Sequence, residues 1–188
     1  MKTKYLAASF VALTLCAGPG MAADWQWQLS PRAGHGLLRI DAFQGINSRR
    51  ENSDGVQVGG NVGLLTPAGL LLEAGASTQS NWDWFGADDE FDFEEQHVSL
   101  GYQLELGDGW RVVPKVSRMR WRLHTEEGEL FNPGPEAQSV LRSYEYTWEV
   151  LVGRQITDLL ALGVSYQDNR FDFGSARMAS FVVTFGFK

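Results

Sequence analysis

The stretch EQHVSLGYQLEL, residues 95–106, alternates polar and apolar side chains with a period of two. Val98, Leu100 and Tyr102 fall on one face of this pattern, and His97 and Ser99 fall on the other. Successive side chains of a β-strand point to opposite faces, so the pattern predicts a strand with one apolar and one polar face.

The same alternation recurs along most of the chain. The predicted strands cover residues 37–46, 55–65, 69–79, 94–106, 109–123, 142–154, 158–167 and 178–187. In the fifth strand the apolar residues move from even positions, such as Trp110, to odd positions, such as Trp121. One extra residue near Ser117 and Arg118, a β-bulge, would account for this shift. Pro114 fits this strand less easily, because proline cannot donate a hydrogen bond to the ladder.

The connections between these strands alternate in length. Residues 66–69, 107–109 and 155–157 are short connections, whereas residues 47–54, 80–93, 124–141 and 168–177 are longer. An even number of strands with short turns at one end and long loops at the other is typical of bacterial outer-membrane barrels. The predicted fold class is all-β, a single antiparallel eight-stranded transmembrane β-barrel.

Composition excludes some classes of protein. The 188 residues include 16 Lys and Arg and 23 Asp and Glu, which gives a formal net charge of −7. This balance lacks the basic footprint of a nucleic-acid-binding protein, so no nucleic acid is expected as a partner. A hydrophobic content of 44% also argues against a disordered chain.

The first residues resemble an export signal. Lys2 and Lys4 precede an apolar run over residues 6–17, and the small residues Gly20 and Ala22 suit cleavage after Ala22. Residues 1–22 are therefore predicted to be a signal peptide that directs export to the cell outer membrane. Residues 23–36 are predicted to be a periplasmic lead-in, because Pro31 and two glycines argue against one unbroken strand. An extension of the first strand is the alternative for this segment. Residues 37–188 are then the barrel.

The polar side chains of the strands are predicted to face the lumen. A membrane barrel places apolar residues outward and polar residues inward. The predicted lumen charges are Arg39, Asp41, Glu73, Glu95, His97, Lys115, Arg118, Arg120, Arg122, Glu145 and Glu149. Eight strands enclose only enough space for side chains, so a salt-bridged plug is favoured over a narrow ion path. In the alternative of a soluble periplasmic barrel of lipocalin type, the same charges would lie outside in water.

The layout, the signal peptide and the closing FVVTFGF, residues 181–187, resemble the small eight-stranded outer-membrane barrels of the outer-membrane protein A and X type. In that family the last strand carries an alternating aromatic signal that the outer-membrane assembly machinery reads. The resemblance assigns this role to Phe181, Phe185 and Phe187, although Lys188 follows the last aromatic residue. It also implies outer-membrane lipids and lipopolysaccharide as partners.

Some members of this architecture are lipid A-modifying enzymes, which need a histidine near a serine at the membrane rim. The sequence has three histidines, and neither His97 beside Ser99 nor His124 near Ser139 forms a motif that faces lipid. No catalytic residue, metal site or cofactor is therefore predicted. Residues expected to interact through the loops are Arg49, Arg50, Asp88, Asp89, Glu90, Arg170 and Arg177.

The sequence thus favours a non-enzymatic outer-membrane barrel with a structural or cell-surface interaction role through its loops. A narrow conduit for small solutes or ions, a lipid A-modifying enzyme and a soluble binding barrel remain as alternatives. Oligomeric state is left open by the sequence.

Overall fold

Strand-forming alternation continues through nearly all of the residues that the structure describes, which are 25–40, 51–80, 89–127, 138–171 and 174–187. The structure is a computed structural model. Its strand segments are β1 (Gln26–Ile40), β2 (Glu51–Leu65), β3 (Leu70–Ser80), β4 (Asp89–Tyr102), β5 (Leu104–Gly107), β6 (Trp110–Glu127), β7 (Gln138–Thr157), β8 (Leu160–Phe171) and β9 (Gly174–Phe187). Within these ranges, no helix has the length and apolar character needed to cross a membrane.

The segments close into a barrel of eight antiparallel strands. β4 and β5 both pair with β6 and are separated only at Gln103, so together they make one strand of the barrel. β1 pairs with β2 on one side and with β9 on the other, which closes the ring. Apart from the short β5, which pairs with β6 alone, each described strand is paired on both edges, so little strand edge is left open to aggregate. The predicted eight-stranded antiparallel barrel is confirmed.

Tight turns join the strands at the end of the barrel where β1 begins and β9 ends, which we call the turn end. Gly69 has φ 87°, and Gly107 and Gly109 have φ 89° and 76°. These values lie in the left-handed region that glycine adopts without steric cost. Two of the turns therefore follow from glycines in the local sequence, close to the predicted connections 66–69 and 107–109. The third predicted connection, 155–157, is wrong, because β7 continues to Thr157 and the turn lies at residues 158–159. The opposite end is called the loop end.

The first strand begins at Gln26, so the prediction of a lead-in up to Gly36 is wrong for residues 26–36. Pro31 is accommodated because the pairing between β1 and β9 is interrupted between Leu29 and Arg32, where no amide of Pro31 is needed. Gly34 faces inward and lies against the backbone of β9. The glycine that argued against a strand is a packing residue of this strand. The predicted signal peptide lies outside the described residues.

Substitution of Gly34 by alanine is expected to destabilise the barrel by about 1–3 kcal/mol, the usual cost of overpacking. A Cβ at this position would collide with the carbonyl oxygen of Ala179 and with Ser180, both on the neighbouring strand. The measurement is the urea midpoint of the refolded barrel. The control is Ala33→Val, which adds volume on the exposed outer face; equal effects of the two changes would contradict the close approach.

The β-bulge predicted near Ser117 and Arg118 is absent. β6 pairs with β4 and with β7 in continuous register through this region, and Pro114 lies opposite Val150. Odd residues of β6 are buried from Arg111 to Leu123, and the even residues point outward. The apparent change of phase is a change in which face is apolar, not a change in backbone register.

The prediction of a long fourth connection, over residues 168–177, is also wrong. β8 continues to Phe171 and β9 begins at Gly174, so only residues 172–173 separate them. Asp168 and Arg177, predicted to bound a loop, are instead cross-strand partners. Residues 168–171 and 174–177, predicted to lie in a loop, therefore belong to the ends of β8 and β9.

Apolar side chains cover the outside of the barrel. The outward-facing apolar residues, which we call the belt, include Leu29, Val58, Leu72, Val98, Leu100, Val116, Val152, Val164 and Phe181. Exposed aromatic residues bound the belt on both sides: Tyr102, Trp110, Phe185 and Phe187 toward the turn end, and Tyr144, Tyr146, Trp148 and Tyr166 toward the loop end. Aromatic residues at both ends of an outward apolar band are the girdles of a membrane barrel.

Candidate functional site

The centre of the lumen holds a buried ion-pair network. Lys115 Nζ lies 2.7 Å from a carboxylate oxygen of Glu73 and 3.5 Å from one of Glu149. Glu95 lies beside His97, with 3.7 Å between Oε1 and Nδ1. All five side chains are buried. Five residues of the predicted lumen set are thus brought together, and pairing offsets the desolvation of their charges.

Sequence reasoning missed one member of this network. Arg32 is 4% exposed, and its guanidinium lies 3.4 Å from Glu149. The predicted lead-in includes Arg32, although Gln28 and Ser30 precede it at intervals of two residues. Extending the two-residue alternation of β1 toward the N-terminus would have placed Arg32 in the lumen.

Amides and hydroxyls surround the charges. Ser77 donates to Glu95 at 2.9 Å, and Gln57 donates to Ser77 at the same distance. Gln167 donates to the other oxygen of Glu95 at 3.1 Å. Ser180 donates to Gln57 at 2.7 Å. Together these bonds tie β2, β3, β4, β8 and β9 to one another across the lumen.

Two apolar layers close the lumen above and below this network. Toward the turn end, the layer consists of Leu65, Leu71, Val113, Leu151 and Val182. Toward the loop end, the layer consists of Leu38, Phe93, Met119, Trp121, Leu123, Phe171, Ala176 and Met178. The rings of Trp121 and Phe171 have centroids 5.0 Å apart. Buried side chains therefore fill the described lumen at three levels, which supports a plug.

Four predicted lumen charges point outward instead. Arg39, Arg118, Arg120 and Arg122 are exposed, while their neighbours on β1 and β6, such as Leu38 and Trp121, face inward. The physical reason is that β6 at the loop end of the barrel is packed like a strand of a soluble protein, with its apolar side chains inside and its charged side chains outside. Glu145 is only half-buried. Asp41 lies outside the described residues.

The outward arginines of β6 form a cluster with the next strand. We call Arg118, Arg120, Arg122 and Arg142 the arginine face. Arg122 lies opposite Arg142 in register, and Arg118 and Arg120 lie opposite Tyr146 and Tyr144. The guanidinium carbon of Arg118 is 5.8 Å from the centre of the Tyr144 ring. Arg122 also contacts Glu94, with 3.6 Å between Nη1 and Oε2.

The predicted loop-interaction residues fall into three groups. Arg49, Arg50 and Asp88 lie outside the described residues. Asp89 and Glu90 belong to the backbone of β4. Arg170 and Arg177 are exposed, and each lies 3.8 Å from the carboxylate of Asp168 between them. These two arginines therefore already have an acidic partner within the protein.

The histidines do not assemble a catalytic arrangement within the described chain. His35 is exposed on the outer face, 3.9 Å from Asp54. Both ring nitrogens of His97 lack a hydrogen-bond partner in the lumen, and the hydroxyl of Ser99 bonds instead to Ser117 at 2.7 Å. The side chain of His124 lies outside the described set. Among the described residues, no group of three or more His, Cys, Asp or Glu side chains is arranged to hold a metal ion.

The three phenylalanines of the resemblance share one face. Phe181, Phe185 and Phe187 are exposed on the outside of β9. Phe187 lies opposite Trp27, and Phe185 lies opposite Leu29. Their role as an assembly signal stays a prediction.

Comparisons with known proteins agree with this architecture. No protein-family model matches the chain. No curated protein matches it in sequence. Among solved structures, Neisserial surface protein A (NspA) matches with a TM-score of 0.65 at 12% identity, covering 86% of this chain and 97% of that one.

Two further structures match less tightly. Ail, the attachment invasion locus protein of Yersinia pestis, matches with a TM-score of 0.56 at 8% identity, over 87% of this chain and 99% of that one. The N-terminal β-barrel domain of Pseudomonas aeruginosa OprF matches with a TM-score of 0.52 at 16% identity, over 86% of this chain and 97% of that one. The chain therefore has the fold of the small eight-stranded outer-membrane β-barrels.

Proposed function

We propose that this protein is an integral outer-membrane barrel with a closed lumen, without enzymatic activity, that acts through its outward surface. The observation that carries the proposal is the distribution of side chains across the wall. In the middle of the barrel, apolar residues face outward and buried ion pairs face inward. A soluble barrel would show the opposite arrangement.

The size of the belt supports the membrane location. Large apolar patches on a soluble monomer are rare, because exposing apolar surface costs about 25 cal/mol per Å². On β7, five of the six outward residues from Tyr146 to Ile156 are apolar or aromatic, and the sixth, Arg154, lies over the Trp110 ring near the turn end. A tilted strand needs roughly 9–11 residues to cross the hydrocarbon, and this segment has that length. Lipid around the belt would remove its apolar surface from water.

The filled lumen supports a structural or surface role over a conduit. Trp121 and Met119 are 3% and 0% exposed within the apolar layer of the loop end. Below them, the ion pairs of Lys115 are satisfied by side chains and leave little room for a hydrated ion. Two structural neighbours, one named as a surface protein and the other as an attachment protein, also favour a role at the cell surface.

The test is heat-modifiability of the full-length chain expressed in a Gram-negative host. We expect the protein in the outer-membrane fraction and a different gel mobility in SDS before and after boiling. A closed antiparallel barrel resists SDS until heated, and the boiled sample is the control. The same purified protein is expected to give no conductance steps in a planar bilayer.

Recovery from the soluble periplasm without a mobility shift would overturn the membrane assignment and favour a water-soluble barrel. Discrete conductance steps that change when Lys115 is replaced would overturn the closed lumen and favour the conduit.

A further inference from the structure

The arginine face stands at the border of the belt. Tyr146 ends the outward segment of β7 that is long enough to cross the hydrocarbon, and Arg118 lies directly opposite it. Val116, one outward position toward the turn end on β6, is 59% exposed and belongs to the belt. Arg120 and Arg122 follow on the side away from the belt. Positive charge therefore begins where the apolar surface stops.

Within the described chain, acidic side chains beside this face are confined to its loop-end side, where Asp92 and Glu94 are exposed on β4. Across β4, the partners of Arg118 and Arg120 are Val98 and Gln96, which carry no charge. Glu94 contacts Arg122 at 3.6 Å, with both side chains about half exposed. Arg170 and Arg177, by contrast, share the carboxylate of Asp168. In a chain with a net charge of −7, a local surplus of cations indicates an external anion.

The spacing between the arginines of the face allows them to bind more than one phosphate group. Side chains two residues apart on one strand face lie about 6.6–6.8 Å apart. Each guanidinium can bind a phosphate with two parallel hydrogen bonds. Three arginines on β6 and Arg142 beside them thus present donors at several levels along the strand. A ligand with one phosphate would use only part of this set.

An apolar groove lies on the outer wall on the belt side of these arginines. Leu100, Pro114, Val116, Trp148 and Val150 line it. Val116 is the outward neighbour of Arg118, so the groove begins where the arginine face ends. A lipid bound here would place its acyl chains in the groove and its phosphates on the arginines.

We propose that the arginine face and this groove together bind a bisphosphorylated glycolipid of the lipid A class in the outer leaflet. The inference rests on the proposed membrane location. It deepens the proposed function by naming the partner of the outward surface and the residues that hold it.

The test measures lipid binding to the full-length barrel, purified in a non-ionic detergent, by native mass spectrometry. The probes are bisphosphorylated lipid A, lipid A with its phosphates removed, phosphatidylglycerol and inorganic phosphate. The Arg118→Gln/Arg120→Gln double variant is expected to bind bisphosphorylated lipid A about tenfold more weakly or worse, since hydrogen bonds to charged groups contribute strongly. The native protein is expected to prefer bisphosphorylated lipid A over the other three probes.

Arg154 provides a matched control. It is an exposed arginine that stacks over Trp110 at 5.8 Å near the turn end, away from the face. Arg154→Gln is expected to change binding less than twofold, whereas Arg120→Gln weakens it severalfold. Equal losses in both single variants would overturn the site, as would equal binding of the dephosphorylated lipid.

Equal binding of phosphatidylglycerol would overturn the assignment to a bisphosphorylated lipid. Heat-modifiability of each variant is measured in parallel. A variant that keeps its gel shift but binds lipid A like the native protein contradicts this inference alone, and loss of the membrane location in the native protein contradicts the proposed function.

Discussion

Replacement of Lys115 by methionine is expected to lower the free energy of unfolding by about 3–5 kcal/mol, the cost of breaking a buried ion pair by removing one partner. Lys115 contacts both Glu73 and Glu149, and the three side chains are only 2–3% exposed. Without the ammonium group, Glu73 loses its only ion pair in the described lumen, and Glu149 keeps only Arg32. The measurement is urea unfolding of the refolded barrel, followed by tryptophan fluorescence.

A second substitution distinguishes an uncompensated charge from lost packing. The Lys115→Met/Glu73→Gln double variant removes the charge that the first change leaves without a partner. It is therefore expected to recover a clear part of the lost stability. Arg122→Gln breaks a half-exposed pair with Glu94 and is expected to cost no more than about 1 kcal/mol. A double variant less stable than Lys115→Met would show that the network does not act as described.

Substitution of Leu100 by arginine is expected to cost about 2–4 kcal/mol, the depth-dependent cost of a cation on the lipid face near the midplane. Leu100 is 54% exposed in the belt, between Leu72 and Val116 on the flanking strands. The measurement is the same urea unfolding, carried out in lipid vesicles.

Thr78→Arg is the matched control, because Thr78 is an exposed residue at the loop-end border of the belt, with Val58 of the belt on one neighbouring strand and Glu94 on the other. An arginine there meets water and a carboxylate, so stability should change by no more than about 0.5 kcal/mol. If Leu100→Arg were as mild as Thr78→Arg, the belt would not face hydrocarbon.

The fold class could be predicted because the alternation of polar and apolar residues continues through the local irregularities of the strands. The alternation identified the strands, and Glu73, Glu95, His97, Lys115 and Glu149 lie in the lumen as their spacing predicted. Alternation separates the two faces of a strand, but it does not specify which face points into the lumen. Within the belt the apolar face points outward to lipid, and beyond the belt it can point inward.

This limit explains the errors on β6 and β1. A pattern in which apolar residues point outward along the whole strand requires a bulge before Trp121 and places Arg120 in the lumen. In the structure, Trp121 packs with Phe93 and Phe171 inside, and Arg120 is outside. Arg39 was misplaced for the same reason. The arginine face therefore could not be found before the backbone register was known.

The error in the start of β1, predicted at residue 37 and observed at Gln26, had a different cause. In sequence alone, Pro31, Gly34 and Gly36 indicate an interruption of a strand. In a narrow barrel, however, small residues are needed where side chains from across the lumen approach, and Gly36 lies against the side chain of Gln79. Whether a glycine breaks a strand or makes room for a neighbour depends on what packs against it, and that is a tertiary property.

The position of the arginine face has a consequence for biogenesis. Arg118, Arg120, Arg122 and Arg142 lie on the opposite side of the belt from both described chain ends, Trp25 and Phe187. For a barrel inserted from the side that holds its termini, four guanidinium groups must be carried through the hydrocarbon. Each costs roughly 2–4 kcal/mol at the midplane, so their passage is a kinetic barrier that a thick bilayer raises and a locally thinned one lowers. After insertion, the same barrier opposes the return of the arginines through the hydrocarbon, so release of the barrel toward the periplasm is also slow.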